Sequence, residues 1–534
     1  MIKKKAIRFI ALNLVVIFTV TMGLGIWIGI SYNKFKKIKE TFVENYAIEN
    51  AKQKFADILT LLSQNYVNDV NLDTLSNMAI TQMLGNLDLK CLCLTSDELA
   101  SQISDSHNEV GMTGIKFTII NGKVYVITAF NGSSADEAGI RANDLIVKID
   151  DVDIIGKSIT DMFVQNKLNG PVGSNVRVSI KRNGENELLH FDIKRDNLIP
   201  CSMVGYMVNP EIGCIKINKF TSNSHKLFKS ILKNLQAKGM KKMVMDLRNN
   251  PSDDIDKAIR IAGKLLQRGY LISYSKGKLE KYNVKYYARS KDIFDKCPII
   301  VLIDSGSASA AEVLAGALQD NDRAYIVGQK SFGIANVQLP MQLRDDSHLL
   351  ITVAKYYTPS GRCIQKIGSE SKQKDNVALE ESLKCHTSMG RIIMDDGGIT
   401  PDYIINPNPY IKSNYLNKVK TIIRQYANTY VNNHTVIFMG TNCERFKNEF
   451  EVTKLMIDQI RSQAISDRLF CDDSEFNTIS PTIKLYIKAY IANKIWKEEG
   501  YYTVINTEDN VFQKSITLFD EATTLIKSLV PEEE

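Results

Sequence analysis

The chain lacks the cysteine spacing that marks a metal site or a disulfide framework. Its nine cysteines include no Cys-x-x-Cys pair. Cys91 and Cys93 are only two residues apart, a spacing that suits neither a disulfide nor a shared metal ion. Isolated cysteines in apolar surroundings, such as Cys201, Cys214 and Cys297, are typical of small buried side chains. We therefore expect no metal, no cofactor and no disulfide framework.

Basic stripes with interleaved aromatic residues are also missing, as are internal repeats and low-complexity tracts. The net charge of +7 is small for 534 residues, and lysines and glutamates are interspersed. We expect no nucleic-acid partner, because nucleic-acid recognition needs a concentrated basic face. With 44% apolar residues the chain can bury large cores and should form several domains.

One long uncharged run, Phe9 to Ile30, follows a start with basic residues. The run has about the length of a membrane-spanning helix. A cleaved signal peptide is the alternative, since a basic start fits both. The apolar region of a signal peptide is normally shorter, however, and Gly29-Ile30-Ser31 is a poor cleavage site. Trp27, near the far end of the run, suits an interfacial anchor. We expect an uncleaved membrane anchor.

The stretch around Ser309 predicts a strand, a turn and a helix. Pro298–Ile303 is a short β-branched run typical of a buried strand, and Ala310–Leu318 is helix-forming. Free backbone N–H groups and a positive dipole at a helix start stabilise an oxyanion, so Ser309 could be a nucleophile there. The alternative is a capping box of Ser309 and Glu312, which is the commoner role for such a serine.

Further motifs favour the catalytic interpretation. They are Asp246–Pro251, Gly328–Gly333, Asn336–Gln338, Tyr356–Arg362 and Gly397–Asp402. In this order and spacing they resemble the C-terminal processing peptidases, or tail-specific proteases, which use a Ser–Lys dyad. The resemblance extends from about Phe42 to the C-terminus.

The resemblance implies catalytic roles for Ser309 as nucleophile and for Gln338 as the residue that supports the dyad. The lysine position of the family is occupied by Ile334, which cannot accept a proton. Lys330 lies four residues earlier, about 13 Å away in an extended chain, and is disfavoured as a substitute base. No histidine lies near Ser309 in sequence, although distant residues can assemble a triad.

The expected oxyanion hole also departs from the family. There the Asn-Pro dipeptide is followed by Gly-Gly, and the first glycine contributes its N–H. Here Ser252-Asp253 takes that place, so the resemblance assigns the hole to the N–H groups of Ser252 and Ala310. Asp253 would bring negative charge close to an oxyanion. Together with Ile334, this predicts an impaired peptidase site.

A PDZ domain is expected from about Asn108 to Asn197. Ala138–Ile146 matches the most recognisable PDZ segment of the family, and Ser158–Leu168 is the predicted groove helix, with Ile159, Met162 and Phe163 on its buried side.

The predicted PDZ ligands are unstructured protein C-termini, which add to a sheet edge as a strand. Gly114, Ile115 and Phe117 are the predicted peptide-binding residues. The alternative is a PDZ domain that packs as an inert cap.

The remaining regions complete an α/β architecture. Residues 42–106 have a helical pattern, and alternating strands and helices follow the PDZ region. The resemblance implies a β/α spiral core related to crotonase and ClpP. The tail from Ile411 to Glu534 is helical, with one apolar face that includes Ile483, Ile487 and Ile491.

We therefore predict five regions. They are a cytoplasmic N-terminus with a membrane anchor (1–30), a helical region (31–107), a PDZ domain (108–197), a peptidase core (198–410) and a helical extension (411–534). The resemblance implies that most of the chain lies on the extracytoplasmic, periplasmic side. In the family such extensions are ascribed to packing or homo-oligomerisation; the apolar face favours packing, and homo-oligomerisation stays open.

Two functions remain open. One is an anchored adaptor or decoy that captures C-terminal tails without cleaving them. The other is a working serine endopeptidase with an unexpected base. The loss of the lysine and of Gly-Gly favours the first, whereas Ser309 and Gln338 keep the second open.

Overall fold

The computed structural model describes residues 45–87, 91–95, 110–120, 122–129, 133–141, 144–154, 156, 159–182, 185, 187–196, 202–289, 297–366, 383–407 and 414–529. Residue contacts divide the chain into two units, Met1–Ile80 and Thr81–Glu534. Helix α1 covers residues 45–65, followed by α2 (Leu72–Gly85). The predicted anchor, Phe9–Ile30, lies outside the described residues, and no helix within them is long and apolar enough to cross a membrane.

The helical prediction for residues 42–106 is wrong at one short strand, β1 (Leu92–Leu94). Its residues pair antiparallel with residues 348–350 of a later strand. Pairing between residues so far apart in sequence leaves no local periodicity, so the sequence could not indicate it.

The predicted PDZ region is an antiparallel domain with two helices. Its elements are β2 (Val110–Gly111), β3 (Ile115–Ile120), β4 (Lys123–Ala129), α3 (Ser134–Ala138), β5 (Leu145–Ile149), β6 (Val152–Asp153), α4 (Asp161–Leu168), β7 (Gly170–Pro171), β8 (Asn175–Lys181) and β9 (Leu189–Lys194). The main sheet has the order β3-β4-β5-β8-β9, so β3 is an edge strand.

Helix α4 departs from its prediction in two ways. It begins at Asp161 because Thr160 caps it, accepting a hydrogen bond from the Phe163 N–H at 3.2 Å. Its buried residues are Val164 and Leu168, whereas Phe163 is exposed, so the predicted burial of Phe163 is wrong.

The peptidase region contains a six-stranded sheet flanked by helices. Its elements are β10 (Met203–Met207), β11 (Ile212–Ile217), α5 (Ser224–Ala237), β12 (Lys242–Asp246), α6 (Ile255–Leu265), β13 (Leu271–Gly277), β14 (Lys285–Tyr287), β15 (Ile299–Ile303), α7 (Ala310–Asp320), β16 (Ala324–Gly328), β17 (Asn336–Gln342), β18 (His348–Tyr357), β19 (Lys384–His386), β20 (Ile392–Met394) and β21 (Tyr403–Ile404). The six-stranded sheet has the strand order β10-β11-β12-β15-β16-β21, and its strands are parallel from β11 to β21. Strand β15 is central and fully buried, which brings the following turn into the core.

The C-terminal region is helical, as predicted. Its helices are α8 (Asn414–Asn433), α9 (Thr435–Phe438), α10 (Cys443–Glu449), α11 (Lys454–Ser466), α12 (Asp473–Ile505), α13 (Asn510–Thr517) and α14 (Phe519–Leu529). Helices α8 to α12 enclose a core of their own, which we call the helical domain. Phe512 and Phe519, from α13 and α14, pack instead on one face of the six-stranded sheet.

Candidate active site

Ser309 occupies a strained position between β15 and α7. Its backbone has φ 53° and ψ −105°, a region that L-residues other than glycine rarely adopt. The residue is 4% exposed, and all eleven residues of the helix that follows are buried. A strained serine at the start of a buried helix indicates a built feature and is typical of functional sites.

Asp304 holds the Ser309 turn against the neighbouring chain segment. Its Oδ1 accepts the N–H groups of Asn249 at 2.9 Å and of Gly306 at 3.0 Å. The Ser307 hydroxyl donates to the carbonyl of Leu247 at 2.9 Å. Burial raises the pKa of the Asp304 carboxyl, although the Asn249 N–H opposes that effect. No pattern in the sequence indicated this role of Asp304.

Glu312 connects the same turn to residues 331–334. One carboxylate oxygen accepts the N–H groups of Ser309 at 2.9 Å and Ile334 at 3.0 Å. The other accepts the Ser331 hydroxyl at 2.5 Å and the Gly333 N–H at 2.7 Å. Burial raises the pKa of Glu312 to about 7, against the effect of these four donors. The predicted capping box of Ser309 and Glu312 is therefore confirmed, and the Ser309 N–H is one of four donors to the carboxylate.

Ile334 lies in an apolar cluster with Ile127, Ala308 and Phe332. Each of the four side chains is at most 5% exposed. Ile127 comes from β4 of the PDZ region, so that region covers the position where the family resemblance places a lysine. The cluster offers no group that could accept a proton.

The two backbone N–H groups predicted to form the oxyanion hole are already hydrogen-bonded. The Ala310 N–H donates to the Ser252 carbonyl at 2.9 Å, and the Ser252 N–H donates to Asn250 Oδ1 at 3.2 Å. The Ser252 hydroxyl in turn accepts the Phe220 N–H at 2.8 Å. In this arrangement neither group is available to a substrate carbonyl.

Asp253, which follows, forms an ion pair with Lys116 of β3 at 2.9 Å. Asp253 is the largest cause of the raised pKa of Lys116, and Asp161 at the start of α4 contributes to it. The PDZ region therefore contacts both predicted departures from the family pattern, Asp253 through Lys116 and Ile334 through the cluster that contains Ile127.

The lysines near this site do not pair with Ser309. Within the part of the chain that the structure describes, the Ser309 hydroxyl makes no hydrogen bond to a lysine or histidine nitrogen. Lys330 pairs with the Asp396 carboxylate and donates to its carbonyl at 3.1 Å. Lys366, which sequence reasoning missed, lies against Gly333 and places its Nζ 5.3 Å from the centre of the Phe332 ring.

The remaining predicted residues lie on strands. Gln338 is on β17, opposite Thr352 of β18. Gly114 has φ 83°, and a Cβ there would overlap Ser133, so only glycine fits. Ile115 and Phe117, on edge strand β3, direct their side chains to the core of the PDZ region. These placements leave the predicted roles as predictions.

Three family models match parts of the chain: a PDZ domain at residues 111–193, peptidase family S41 at 211–373, and a family of unknown function, DUF8443, at 414–497. The carboxy-terminal-processing protease of Bartonella bacilliformis is 34% identical over 319 residues, which cover 59% of this chain and 73% of the relative. The carboxy-terminal processing protease CtpB of Bacillus subtilis is 29% identical over 381 residues, 68% of this chain and 78% of the relative.

Among solved structures, the photosystem II D1 C-terminal processing protease superposes with a TM-score of 0.52. It is 24% identical, and the match covers 65% of this chain and 85% of that protein. This similarity shows a shared fold.

Proposed function

The chain belongs to the carboxy-terminal processing proteases of peptidase family S41, with a PDZ domain, and from that premise we propose that it captures unstructured protein C-termini without cleaving them. The observation that carries the proposal is the hydrogen bond from the Ala310 N–H to the Ser252 carbonyl. It occupies an N–H that an acyl-transfer site needs for its oxyanion. The apolar cluster of Ile127, Ala308, Phe332 and Ile334 adds support, because none of its four side chains can act as a base.

The capture of C-termini would use the edge of β3. A peptide added there as a strand would place its carboxylate at the loop before Ile115, where Gly114 has its positive φ. Helix α4 would form the other wall of the groove. Charge and backbone amides, rather than a cofactor, would then select the ligand.

We expect a labelled unstructured peptide with an apolar, free C-terminus to bind the purified protein at least about tenfold more tightly than its C-terminal amide. Gly114→Ala should abolish the difference, because its Cβ overlaps Ser133. Gly173→Ala is the matched control: it too has a positive φ in the PDZ domain, but its Cβ would meet no atom within 4 Å. Equal binding of acid and amide would contradict capture of C-termini.

Cleavage is tested on the same peptide. Wild-type protein and Ser309→Ala should leave it equally intact, as measured by mass spectrometry over hours. Cleavage by the wild type alone would favour the second candidate function, a working endopeptidase. The strained backbone of Ser309 is the observation that supports that alternative, and Lys366→Ala would then test a substitute base.

We also propose that Phe9–Ile30 anchors the protein in a membrane with most of the chain on the extracytoplasmic side. The length and lack of charge of this run support the proposal. The full chain should stay in the membrane pellet after an alkaline carbonate wash, whereas a chain that begins at Ser31 should be released. If expression of the full chain instead yields a released product that lacks the first residues, the segment is a cleaved signal peptide.

A further inference from the structure

The helical domain contacts the PDZ domain where α8 packs against α3. Arg424 forms an ion pair with Glu137 of α3. Lys420 lies one turn earlier; burial opposes its charge, but Tyr486 and Asp136 outweigh that effect and raise its pKa. Arg424 of α8 is therefore paired with Glu137 of α3, and the charge of the neighbouring Asp136 acts on Lys420.

Each cation is also held by an aromatic ring of α12. Lys420 Nζ lies 4.8 Å from the centre of the Tyr486 ring, and the Arg424 guanidinium lies 5.1 Å from that of Tyr490. Such contacts fix the direction of long side chains that would otherwise be mobile. Aromatic rings of the helical domain thus orient both cations independently of α3.

Helix α3 is joined in turn to the loop expected to bind a carboxylate. The Ala135 N–H donates to the Thr113 carbonyl at 3.0 Å. Ser133, whose hydroxyl accepts the Asp136 N–H at 3.2 Å, packs against Gly114. A displacement of α3 would therefore move this loop.

We propose that the helical domain, the segment matched by the family of unknown function, is an intramolecular clamp on the PDZ domain. The helical domain holds α3 of the PDZ domain. Strands β3 and β4 of the PDZ domain in turn contact Asp253 and the Ile334 cluster of the peptidase core. Lys420 and Arg424 face the chain's own PDZ domain and not a separate partner. The Glu137 side chain is only 15% exposed and already forms an ion pair with Arg424. The inference goes beyond peptide capture and does not depend on it.

Hydrogen exchange of the full chain, measured by mass spectrometry without peptide, tests the clamp. Arg424→Glu should speed amide exchange in residues 133–141 about tenfold, because like charges would then face each other. The double variant Arg424→Glu/Glu137→Arg should restore slow exchange. Arg445→Glu is the matched control: it breaks an exposed ion pair with Glu449 inside the helical domain and should leave residues 133–141 unchanged.

The exchange of residues 483–491 distinguishes release of α3 from unfolding of the helical domain. These residues should stay protected in every variant. If Arg424→Glu exposes them too, Glu137→Gln, which leaves the helical domain intact, decides the question with an expected threefold acceleration of exchange. Unchanged exchange of residues 133–141 in Glu137→Gln or in a folded Arg424→Glu variant would overturn the proposal. Because no peptide is present, the result is independent of whether the PDZ domain binds C-termini.

Discussion

The triple variant Ser252→Gly/Asp253→Gly/Ile334→Lys should cleave an unstructured polypeptide at least about 100-fold faster than Ile334→Lys alone. The Ile334→Lys substitution would supply a base, and the apolar neighbours of this position would lower the pKa of the new amine toward neutrality. That change leaves the Ala310 N–H bound to the Ser252 carbonyl. Glycines at 252 and 253 permit another backbone path and remove the ion pair with Lys116. The measurement is the initial rate of product formation by mass spectrometry.

Two controls make this result specific. Adding Ser309→Ala to the triple variant should remove most of the cleavage, since an oxyanion hole without a nucleophile retains only about 10³–10⁴-fold catalysis over water. Circular dichroism should show that the variants remain folded. Equal rates for Ile334→Lys and the triple variant, both well above that of the wild type, would contradict the inference that Ser252 closes the oxyanion hole and would identify the missing base as the only defect.

The two predicted departures from the family pattern lie at the same contact between domains. Asp253 and Ile334 are 81 positions apart in sequence, yet both contact the PDZ domain, one by charge and the other by apolar packing. An exposed ion pair such as Lys116–Asp253 contributes little stability by itself. Beside a buried apolar contact it can still fix the orientation of the two domains. Both positions at which the sequence predicts a missing catalytic group thus lie at a contact with the PDZ domain.

How far the sequence could predict this arrangement depends on the range of each interaction. The strand and helix around Ser309 were predictable, because Ile299–Ile303 and Ala310–Asp320 have local apolar patterns. The contacts of Ile127 with Ile334 and of Lys116 with Asp253 join residues more than 130 positions apart, and no local pattern encodes them. The sequence therefore indicated that Asp253 and Ile334 are unusual for the family, but not that both contact the PDZ domain.

Glu312 shows the same limit at short range. Its position three residues after Ser309 predicted one hydrogen bond, to the Ser309 N–H. The Ser331, Gly333 and Ile334 donors come from the chain beyond α7 and β16, so only the fold reveals them. Because the Glu312 carboxylate has no solvent exposure and joins the Ser309 turn to residues 331–334, it positions both segments, whether or not the site is active.

This burial of Glu312 should appear in the pH dependence of stability. Its pKa rises from an ordinary 4.5 to about 7 in the folded chain. Between these values the folded chain keeps a proton that the unfolded chain has released, so the free energy of unfolding falls as the pH rises. The difference corresponds to about 3 kcal/mol at 1.36 kcal/mol per pH unit. The stabilisation is complete below pH 4.5 and lost by about pH 7.

The Glu312→Gln variant isolates this contribution, because glutamine does not titrate. Urea unfolding of both proteins from pH 4.5 to 8 should show the wild type losing about 3 kcal/mol relative to the variant, with a constant difference above about pH 7.5. Other buried carboxyls with raised pKa, such as Asp304, are present in both proteins and cancel. Glu449→Gln, on the exposed surface of α10, should follow the wild type. Parallel curves for wild type and Glu312→Gln would mean that the four donors outweigh burial and keep Glu312 ionised. The turn would then be held by a permanent anion, which would further disfavour an oxyanion beside Ser309.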